Sequence, residues 1–281
     1  AADVLARAIT PTMSQVLGQS VVVDNKPGAG GNIGISETVR APKDGYTLLL
    51  SSGGAITINP MIYSKLAFNP EKDLTPVAAV ARVHVFLETN PAVPATNVAE
   101  FIKHLKANPG KLSYGSPGQG SSPHLAGEMF KRMAGVDAVH APYKGAGPAL
   151  SDVLSGQLQF WFDPGPGLKQ VEAGKLRLLA IGSPHRSPQY PNVPTLAESG
   201  LPGFDADTLF GIYAPTGTPE SVIEAVRTAV AKALEQKNVN DVILTLGATP
   251  APLSRKAFID HHATERERFG ELVKAIGLKV D

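Results

Sequence analysis

The chain contains no cysteine among its 281 residues. Disulfide bonds, cysteine nucleophiles and thiolate metal sites are therefore excluded. Long apolar runs are also missing, because no stretch approaches the roughly 18 residues that a membrane-spanning helix needs. We therefore expect no direct membrane insertion, no resident metal and no thiol chemistry.

The sequence also has no large excess of positive or of negative charge. The 26 basic and 25 acidic residues are mixed along the chain and leave a formal net charge of +1. A nucleic-acid partner would need a clustered basic face, so none is predicted. The length is sufficient for two domains with buried cores.

A leader sequence is not visible at the start of the chain. The sequence begins at Ala1 with a helical apolar pattern already running, and neither a basic segment nor an apolar core of a signal peptide precedes it. We expect that a signal peptide has been removed or that the natural chain begins further upstream.

Short β-branched or leucine-rich runs alternate with helical patterns along most of the chain, and residues 21–23 are the first such run. This alternation predicts an α/β fold with mainly parallel sheets covered on both faces. From residue 219 onward the pattern is almost entirely helical, so the chain is expected to end in a helical layer. The charged segment 261–268 is interpreted as a solvated helix face.

Two strand-like runs, at residues 83–91 and 209–219, are candidate crossings between domains. If the chain passes into a second domain at the first and returns at the second, domain I consists of residues 1–88 and 211–281. Domain II then consists of residues 89–210.

The most informative stretch is YGSPGQGSSPH at residues 114–124, which follows a short strand and opens into a helical pattern. Its glycines permit a tight turn, and Ser121 or Ser122 stands where a helix N-cap belongs, with Pro123 just inside the helix. Such a helix start presents free N–H donors and can hold an anion. The alternative is a capped helix that binds no ligand.

Two further strand-to-helix turns are candidates for the same site. Tyr143 follows one strand-like run and Asp163 ends another. In open α/β sheets, ligands bind at the carboxyl ends of the strands, so these turns are expected to converge with the 116–122 loop. Asp163 could instead cap the following helix.

Enzyme chemistry has one candidate pair, because Ser121 and His124 lie three residues apart on one helical face. This pair would serve a hydrolase or acyl transferase, but no third group that orients the base and no G-x-S-x-G elbow are evident. The glycines at 28–34 superficially resemble a dinucleotide motif, which fails because Ile33 stands where glycine is required. No cofactor is therefore predicted.

Together, eight stretches of the chain resemble the solute receptors of tripartite tricarboxylate transporters, also called Bug proteins. They are DVLAR at 3–7, VVDNKPGAGGNIG at 22–34, DGYTL at 44–48, YGSPGQGSSPHL at 114–125, YKG at 143–145, AGKLR at 173–177, VPT at 193–195 and GLPG at 200–203. They cover nearly the whole chain in family order, and their joint specificity is high.

The resemblance implies a type II-like periplasmic binding protein with two three-layer αβα domains joined by two crossing hinge strands. Such receptors are not enzymes. They capture a di- or tricarboxylate, an acidic amino acid or an aromatic acid by hinge closure and deliver it to membrane transporter subunits. The resemblance therefore implies a periplasmic monomer, and a ligand-sensing subunit of a signalling system is the alternative.

The resemblance also implies roles for individual residues. The carboxylate-holding loop of domain II corresponds to Ser116, Gly120, Ser121 and Ser122, and the opposing strand end of domain I corresponds to Ser51, Ser52 and Gly53. The remaining expected ligand-binding residues are His124, Tyr143 and Asp163. An ionised, inward-pointing Asp163 would favour a ligand with an ammonium group. The resemblance also places the ligand cleft between the two domains. Family members usually begin with a further strand and a glycine-rich loop, so we expect either that the sequence is incomplete or that this first strand of domain I is absent.

Overall fold

The computed structural model describes residues 1–280 and consists of two compact units. Unit 1 combines residues 1–82 with the residues from 208 onward, and unit 2 is the intervening segment 83–207. The chain therefore passes between the units at Arg82–Val83 and at Asp207–Thr208. The boundaries predicted from sequence lie later in both connections.

Within residues 1–280, helices and strands alternate one for one from about residue 86 to residue 181, and several helices follow one another outside that segment. The helices are α1 Ala2–Leu17, α2 Asn32–Arg40, α3 Gly53–Thr57, α4 Asn59–Ile62, α5 Pro70–Asp73, α6 Val98–Ala107, α7 Ser122–Ala134, α8 Ala146–Ser155, α9 Leu168–Glu172, α10 Glu220–Leu234, α11 Lys237–Thr245 and α12 Arg255–Ile276. None of these helices, all within residues 1–280, is both long enough and apolar enough to cross a membrane.

The strands form one sheet in each unit. They are β1 Leu49–Ser52, β2 Leu74–Val83, β3 Phe86–Thr89, β4 Ser113–Ser116, β5 Val139–Pro142, β6 Phe160–Asp163, β7 Arg177–Ile181, β8 Thr208–Pro215 and β9 Thr249–Pro250. The sheet of unit 1 has the order β1-β8-β2-β9, and the sheet of unit 2 has the order β5-β4-β6-β3-β7.

The sheet of unit 1 departs from the sequence prediction. Strand β1 is antiparallel to β8, and β2 is antiparallel to β9, so the prediction of a mainly parallel sheet is wrong here. Residues 21–23 do not form a strand, and Val22 is 84% exposed. Valine favours a strand where its side chain packs on a pleated surface, and an exposed segment offers no such surface.

The sheet of unit 2 is mixed. Strand β4 is parallel to β5 and β6, whereas β3 is antiparallel to β6 and β7. Parallel neighbours need a crossover connection, and α7 and α8 supply the crossovers from β4 to β5 and from β5 to β6. Strand β3 enters directly from the connection after β2, without a crossover, and therefore runs the opposite way.

The C-terminal region is less purely helical and less exposed than the sequence predicts. The two-residue strand β9 pairs with Ala81 and Arg82 of β2. His262 and Glu265 of α12 are buried, 5% and 0% exposed. They lie three residues apart and share the inner face of α12 with the buried Phe258 and Phe269, which explains why the charged segment is not a wholly solvated face.

In unit 2, helix α7 packs on the face of the sheet that carries Tyr114 and Phe160, while Trp161 lies on the opposite face in a cluster with α8. Gly127 of α7 lies directly against the Tyr114 ring, where an added Cβ would overlap ring atoms. This close approach fixes the beginning of α7 over the end of β4.

Gly127→Ala is expected to lower the free energy of unfolding by about 1–3 kcal/mol because the new methyl group overpacks the Tyr114 contact. Urea unfolding measures it. Gly147→Ala is the matched control, since a Cβ at Gly147 of α8 meets no atom within 4 Å. There alanine should stabilise by about 0.5–1 kcal/mol through its helix propensity. Equal effects of the two substitutions would contradict the close packing of α7 on β4.

Candidate functional site

Three strand-to-helix turns of unit 2 converge at one edge of its sheet. The register pairs Ser116 with Pro142 and Gly115 with Trp161, so β4, β5 and β6 end side by side. The backbone N–H of Tyr143 donates to Ser116 O at 2.9 Å, and that of Gly145 donates to Pro117 O at 3.0 Å. The turn after β5 is thereby fastened to the loop after β4.

The loop at residues 116–122, called the serine loop below, is organised around the Ser116 hydroxyl. Ser116 is fully buried, and its Oγ donates to Gly118 O at 3.0 Å and accepts from Gly118 N at 3.2 Å. The same oxygen lies 2.7 Å from His140 Nε2. Ser116 therefore holds the loop together, with its hydroxyl fully used by protein groups.

Ser121 is the N-cap of α7. Its Oγ accepts from His124 N at 3.4 Å and donates to Gly118 O at 2.7 Å. Pro123 lies in the first turn, where its missing N–H costs nothing. The sequence prediction of a serine-capped helix start is thus confirmed, with Ser121 rather than Ser122 as the cap.

The ring of His124 lies beneath the serine loop and makes no hydrogen bond to the Ser121 hydroxyl, which only the backbone N–H of His124 contacts. Its ring Nδ1 accepts from Gly120 N at 3.0 Å, and the side chain is 3% exposed. Burial lowers the pKa of His124 to about 4, so the ring is neutral at pH 7. With Nδ1 occupied by Gly120, His124 is not arranged as a general base for Ser121.

Two backbone donors of the serine loop are left over. In residues 1–280, the N–H groups of Gln119 and Ser122 donate to no protein acceptor. Ser122 is the first residue of α7, where the helix dipole is positive. No lysine or arginine occurs between residues 114 and 124. The loop can therefore hold an anion through neutral donors alone.

Tyr143 is turned toward α8. Its hydroxyl donates to Asp152 Oδ2 at 2.5 Å, and burial together with this hydrogen bond raises the pKa of Tyr143 to about 12. The tyrosine therefore braces the turn after β5 against α8. Its hydroxyl proton is already committed to the Asp152 carboxylate.

Asp163 ends β6 and is completely buried beside Glu88 of β3. Asp163 Oδ2 accepts from Gly167 N at 2.9 Å, and Glu88 Oε2 accepts from Trp161 Nε1 at 2.8 Å. The second oxygen of each carboxyl, Asp163 Oδ1 and Glu88 Oε1, is buried without a hydrogen-bond partner. Gly167 is packed tightly over the pair, where a Cβ would meet both carboxyls.

Burial raises the pKa of both carboxyls. The pKa of Asp163 rises to about 7, and that of Glu88 rises well above its usual range because burial and the neighbouring Asp163 both disfavour its charge. The pair therefore carries less negative charge near pH 7 than two free carboxylates would.

The predicted residues of unit 1 lie at the end of β1. Ser52 caps α3 by accepting from Ala55 N at 3.4 Å, and the Ser51 Oγ lies 3.4 Å from Ser52 O. Gly53 packs against Glu265 of α12, which leaves no room for a Cβ. Glu265 accepts hydrogen bonds from Thr57 and Thr208 at 3.2 and 2.8 Å, so α12 supports this strand end from below.

A serine–histidine–aspartate cluster, formed by His84, Ser183 and Asp207, lies where the chain passes between the units. Asp207 Oδ1 and Ser183 Oγ both approach Nδ1 of His84, at 2.9 and 2.5 Å, and Ser183 also donates to Asp207. A catalytic triad needs the serine and the carboxylate on different ring nitrogens. The cluster is therefore a structural hydrogen-bonded group.

Sequence analysis missed His140, Glu88 and Glu265, each of which supports a predicted residue. Glu88 and Glu265 contact residues 75 and 57 positions away along the chain, at Asp163 and Thr208. No short sequence pattern predicts contacts between residues so far apart along the chain. Only the alternation of side chains on β5 could have placed His140 beside Ser116, once the register of β4 with β5 was known.

Known proteins are similar to this chain in both sequence and fold. The family model described as "Tripartite tricarboxylate transporter family receptor" matches residues 5–278. The protein BugT of Bordetella pertussis is 37% identical over 283 residues, which cover 99% of this chain and 86% of BugT.

Two solved structures extend the comparison. An R. palustris protein solved with adipate is 35% identical with a TM-score of 0.93, and the match covers 99% of this chain and 93% of that one. MatC from Rhodopseudomonas palustris, solved with bound malate, is 32% identical with a TM-score of 0.89, covering 97% and 94%.

The two-unit α/β fold is that of a solute-binding protein. More particularly, the chain belongs to the tripartite tricarboxylate transporter receptor family, which is a family of solute receptors and not of enzymes. The prediction of this family from the eight sequence stretches is confirmed. The alternative use of Ser121 and His124 in a hydrolase is excluded by the family and by the engagement of His124 Nδ1 with Gly120.

The buried acid pair predicts a pH dependence of stability. Because burial and the neighbouring Asp163 raise the folded-state pKa of Glu88 well above its usual range, the contribution of Glu88 is complete below its unfolded pKa of about 4 and is lost as the pH rises toward the raised folded-state value. Glu88→Gln supplies an amide donor to Asp163 without a titrating proton. We expect wild type to lose at least about 1 kcal/mol more than this variant between pH 5.5 and 8.5.

Urea unfolding at the two pH values measures this difference. Glu271→Gln, at an exposed position of α12, is the control and should follow wild type. If Glu88→Gln has the same pH dependence as wild type, the pKa of Glu88 is not raised in the folded state.

Proposed function

We propose that the chain is a periplasmic receptor that binds a small organic acid and delivers it to the membrane subunits of a tripartite tricarboxylate transporter. Membership of the receptor family supports the receptor role and the location. Two relatives that are 35% and 32% identical were solved with adipate and malate. By analogy with these two structures, the ligand class proposed for this chain is a dicarboxylate of about four to six carbons.

The observation that carries this proposal is the serine loop with its two unused donors. The N–H groups of Gln119 and Ser122 lie at the positive end of α7. The hydroxyls of Ser116 and Ser121 both donate to Gly118 O and so hold the loop between them in place. A carboxylate accepts two such hydrogen bonds and gains from the helix dipole. A neutral ligand would gain only the weaker part of this interaction.

The lack of a lysine or arginine in this loop suits reversible capture. Backbone donors on a fixed turn need no side-chain ordering, whereas a bidentate arginine would bind a carboxylate more strongly and more permanently. We infer that the loop holds one carboxylate of the ligand. The strand end at Ser51, Ser52 and Gly53 remains the proposed contact from unit 1.

Capture by closure of the two units is a further part of the proposal. Its support is the presence of two chain crossings, Arg82–Val83 and Asp207–Thr208, between two separately packed units. A ligand that contacts both units stabilises the closed arrangement by its differential affinity.

Uptake of adipate or malate into proteoliposomes that hold the membrane subunits, measured with and without this receptor, tests the delivery step.

Ser121→Asp should weaken carboxylate binding at least tenfold, because it places a negative charge at the serine loop. Aspartate is as good an N-cap as serine, so the stability of α7 should be kept. Isothermal titration calorimetry against adipate, malate, citrate, aspartate, glutamate and nicotinate measures the affinity. Ser121→Asn is the neutral control, with the same size and capping ability but no charge.

A second control is Ser254→Asp, the same change at the N-cap of α12 in unit 1, which should bind like wild type. Binding of no carboxylate by the wild-type protein would refute the proposed function. Equal affinities of Ser121→Asp and Ser121→Asn would show that the anion is not held at this loop.

Ligand-induced closure should change the distance between labels on the two units. Because the chain has no cysteine, Lys106→Cys in α6 and Lys232→Cys in α10 provide two unique, exposed labelling sites. We expect the energy-transfer efficiency between dyes at these sites to change when a bound carboxylate is added.

The control pair is Lys106→Cys with Lys169→Cys, which places both dyes on unit 2. Its transfer efficiency should stay constant at the same ligand concentration. An unchanged signal from the first pair under saturating ligand would rule out closure.

A further inference from the structure

Two imidazole rings are stacked beneath the serine loop. His124 of α7 and His140 of β5 have ring centroids 3.9 Å apart and an interplanar angle of 10°. Each ring bonds a different part of the loop, His124 to Gly120 and His140 to Ser116. The loop is thus fastened at two points to one pair of side chains.

The bond to Gly120 fixes the tautomer of His124. The Gly120 N–H can only donate, so Nδ1 of His124 must be an unprotonated acceptor and the ring proton lies on Nε2. Protonation at Nδ1 would turn the acceptor into a donor that faces another donor. The bond between Gly120 and His124 therefore exists only while the ring is neutral.

The bond to Ser116 fixes His140 in the same way. The Ser116 hydroxyl donates its one proton to Gly118 O at 3.0 Å, so its contact with His140 Nε2 at 2.7 Å is satisfied when Nε2–H is the donor. With this tautomer, Ser116 Oγ accepts from both His140 and Gly118. Every polar contact of the hydroxyl then pairs a donor with an acceptor.

The surroundings keep both rings neutral. Burial is the main cause that lowers the pKa of His124 to about 4 and that of His140 to about 3. The groups that face the rings are Glu128 and Lys131 of α7, which are paired at 2.9 Å, and Tyr114 of β4, whose hydroxyl donates to Glu128. The Glu128–Lys131 pair leaves no net charge beside the rings.

We propose that His124 and His140 are positioning residues that hold the serine loop in its anion-binding shape through Nδ1 of one ring and Nε2–H of the other. In this role the two rings act on the ligand through the loop, by the nitrogens that Gly120 and Ser116 occupy. The inference rests on the proposed function, since it assigns how the carboxylate-binding loop of that function is kept in place. It also changes the expected role of His124 from ligand contact to loop support.

The two nitrogens can be replaced separately by amides of different length. At position 124, asparagine places an oxygen where Nδ1 lies, whereas glutamine reaches only the Nε2 position. At position 140 the order is reversed, because glutamine places an N–H near Nε2 and asparagine is too short. All four variants lose the ring and its stacking, so the stacking loss is common to each comparison.

The experiment measures amide hydrogen exchange by NMR in the ligand-free protein, and then the affinity for adipate and malate by calorimetry. We expect His124→Asn to keep the protection of the Gly120 N–H, and His124→Gln to exchange at least tenfold faster. We expect His140→Gln to keep the protection of the Gly118 N–H, and His140→Asn to lose it. Affinity should follow the same reciprocal order, with at least a fivefold difference within each pair.

Equal exchange or equal affinity within both pairs would overturn the proposal, because a purely packing role does not distinguish asparagine from glutamine in opposite senses. Failure of the proposed function is seen separately. If the wild-type protein binds neither adipate nor malate, that function loses its support, and the exchange pattern alone then decides whether the two histidines hold the loop.

Discussion

The candidate site depends on the hydrogen bonds of the Ser116 hydroxyl. This hydroxyl joins the end of β4 to Gly118 of the loop and to His140 of the neighbouring strand. A buried hydroxyl is costly unless its hydrogen bonds are made, so the loop has little freedom to rearrange while Ser116 remains buried. Because Ser116 holds the loop in one shape, the N–H groups of Gln119 and Ser122 further along the loop can remain without a protein acceptor and available to a ligand.

A loop built in this way offers an anion fixed backbone dipoles and no cationic side chain. The donors belong to the backbone and the first turn of α7, and their positions follow from the N-cap at Ser121. The supporting histidines are kept neutral by burial, so the charge of the site changes little across neutral pH. Affinity then depends on geometry more than on ionisation.

Local sequence signals predicted the parts of this site that depend on neighbouring residues. The serine cap, the following proline and the glycines of the loop identified the start of α7, and the strand pattern placed the turns after β5 and β6 at the same edge. The signals failed where the chain brings distant segments together. The antiparallel entry of β3, the burial of His262 and Glu265, and the Glu88–Asp163 pair all depend on contacts between elements far apart in sequence.

The pleat of β4 and β6 separates the two kinds of charge at this sheet edge. Tyr114 pairs with Phe160 in the register, so Ser116 lies on the α7 face and Asp163, like Trp161, lies on the opposite face. The negative charge of the Glu88–Asp163 pair is therefore kept on the other side of the sheet from the donors of the serine loop. Burial raises the pKa of both carboxyls, so the pair carries less negative charge near neutral pH than two free carboxylates, which further reduces the repulsion of an incoming carboxylate. An ammonium-bearing ligand could use Asp163 only if the Gly165–Gly167 segment moved aside, since Gly167 now packs directly over its carboxyl.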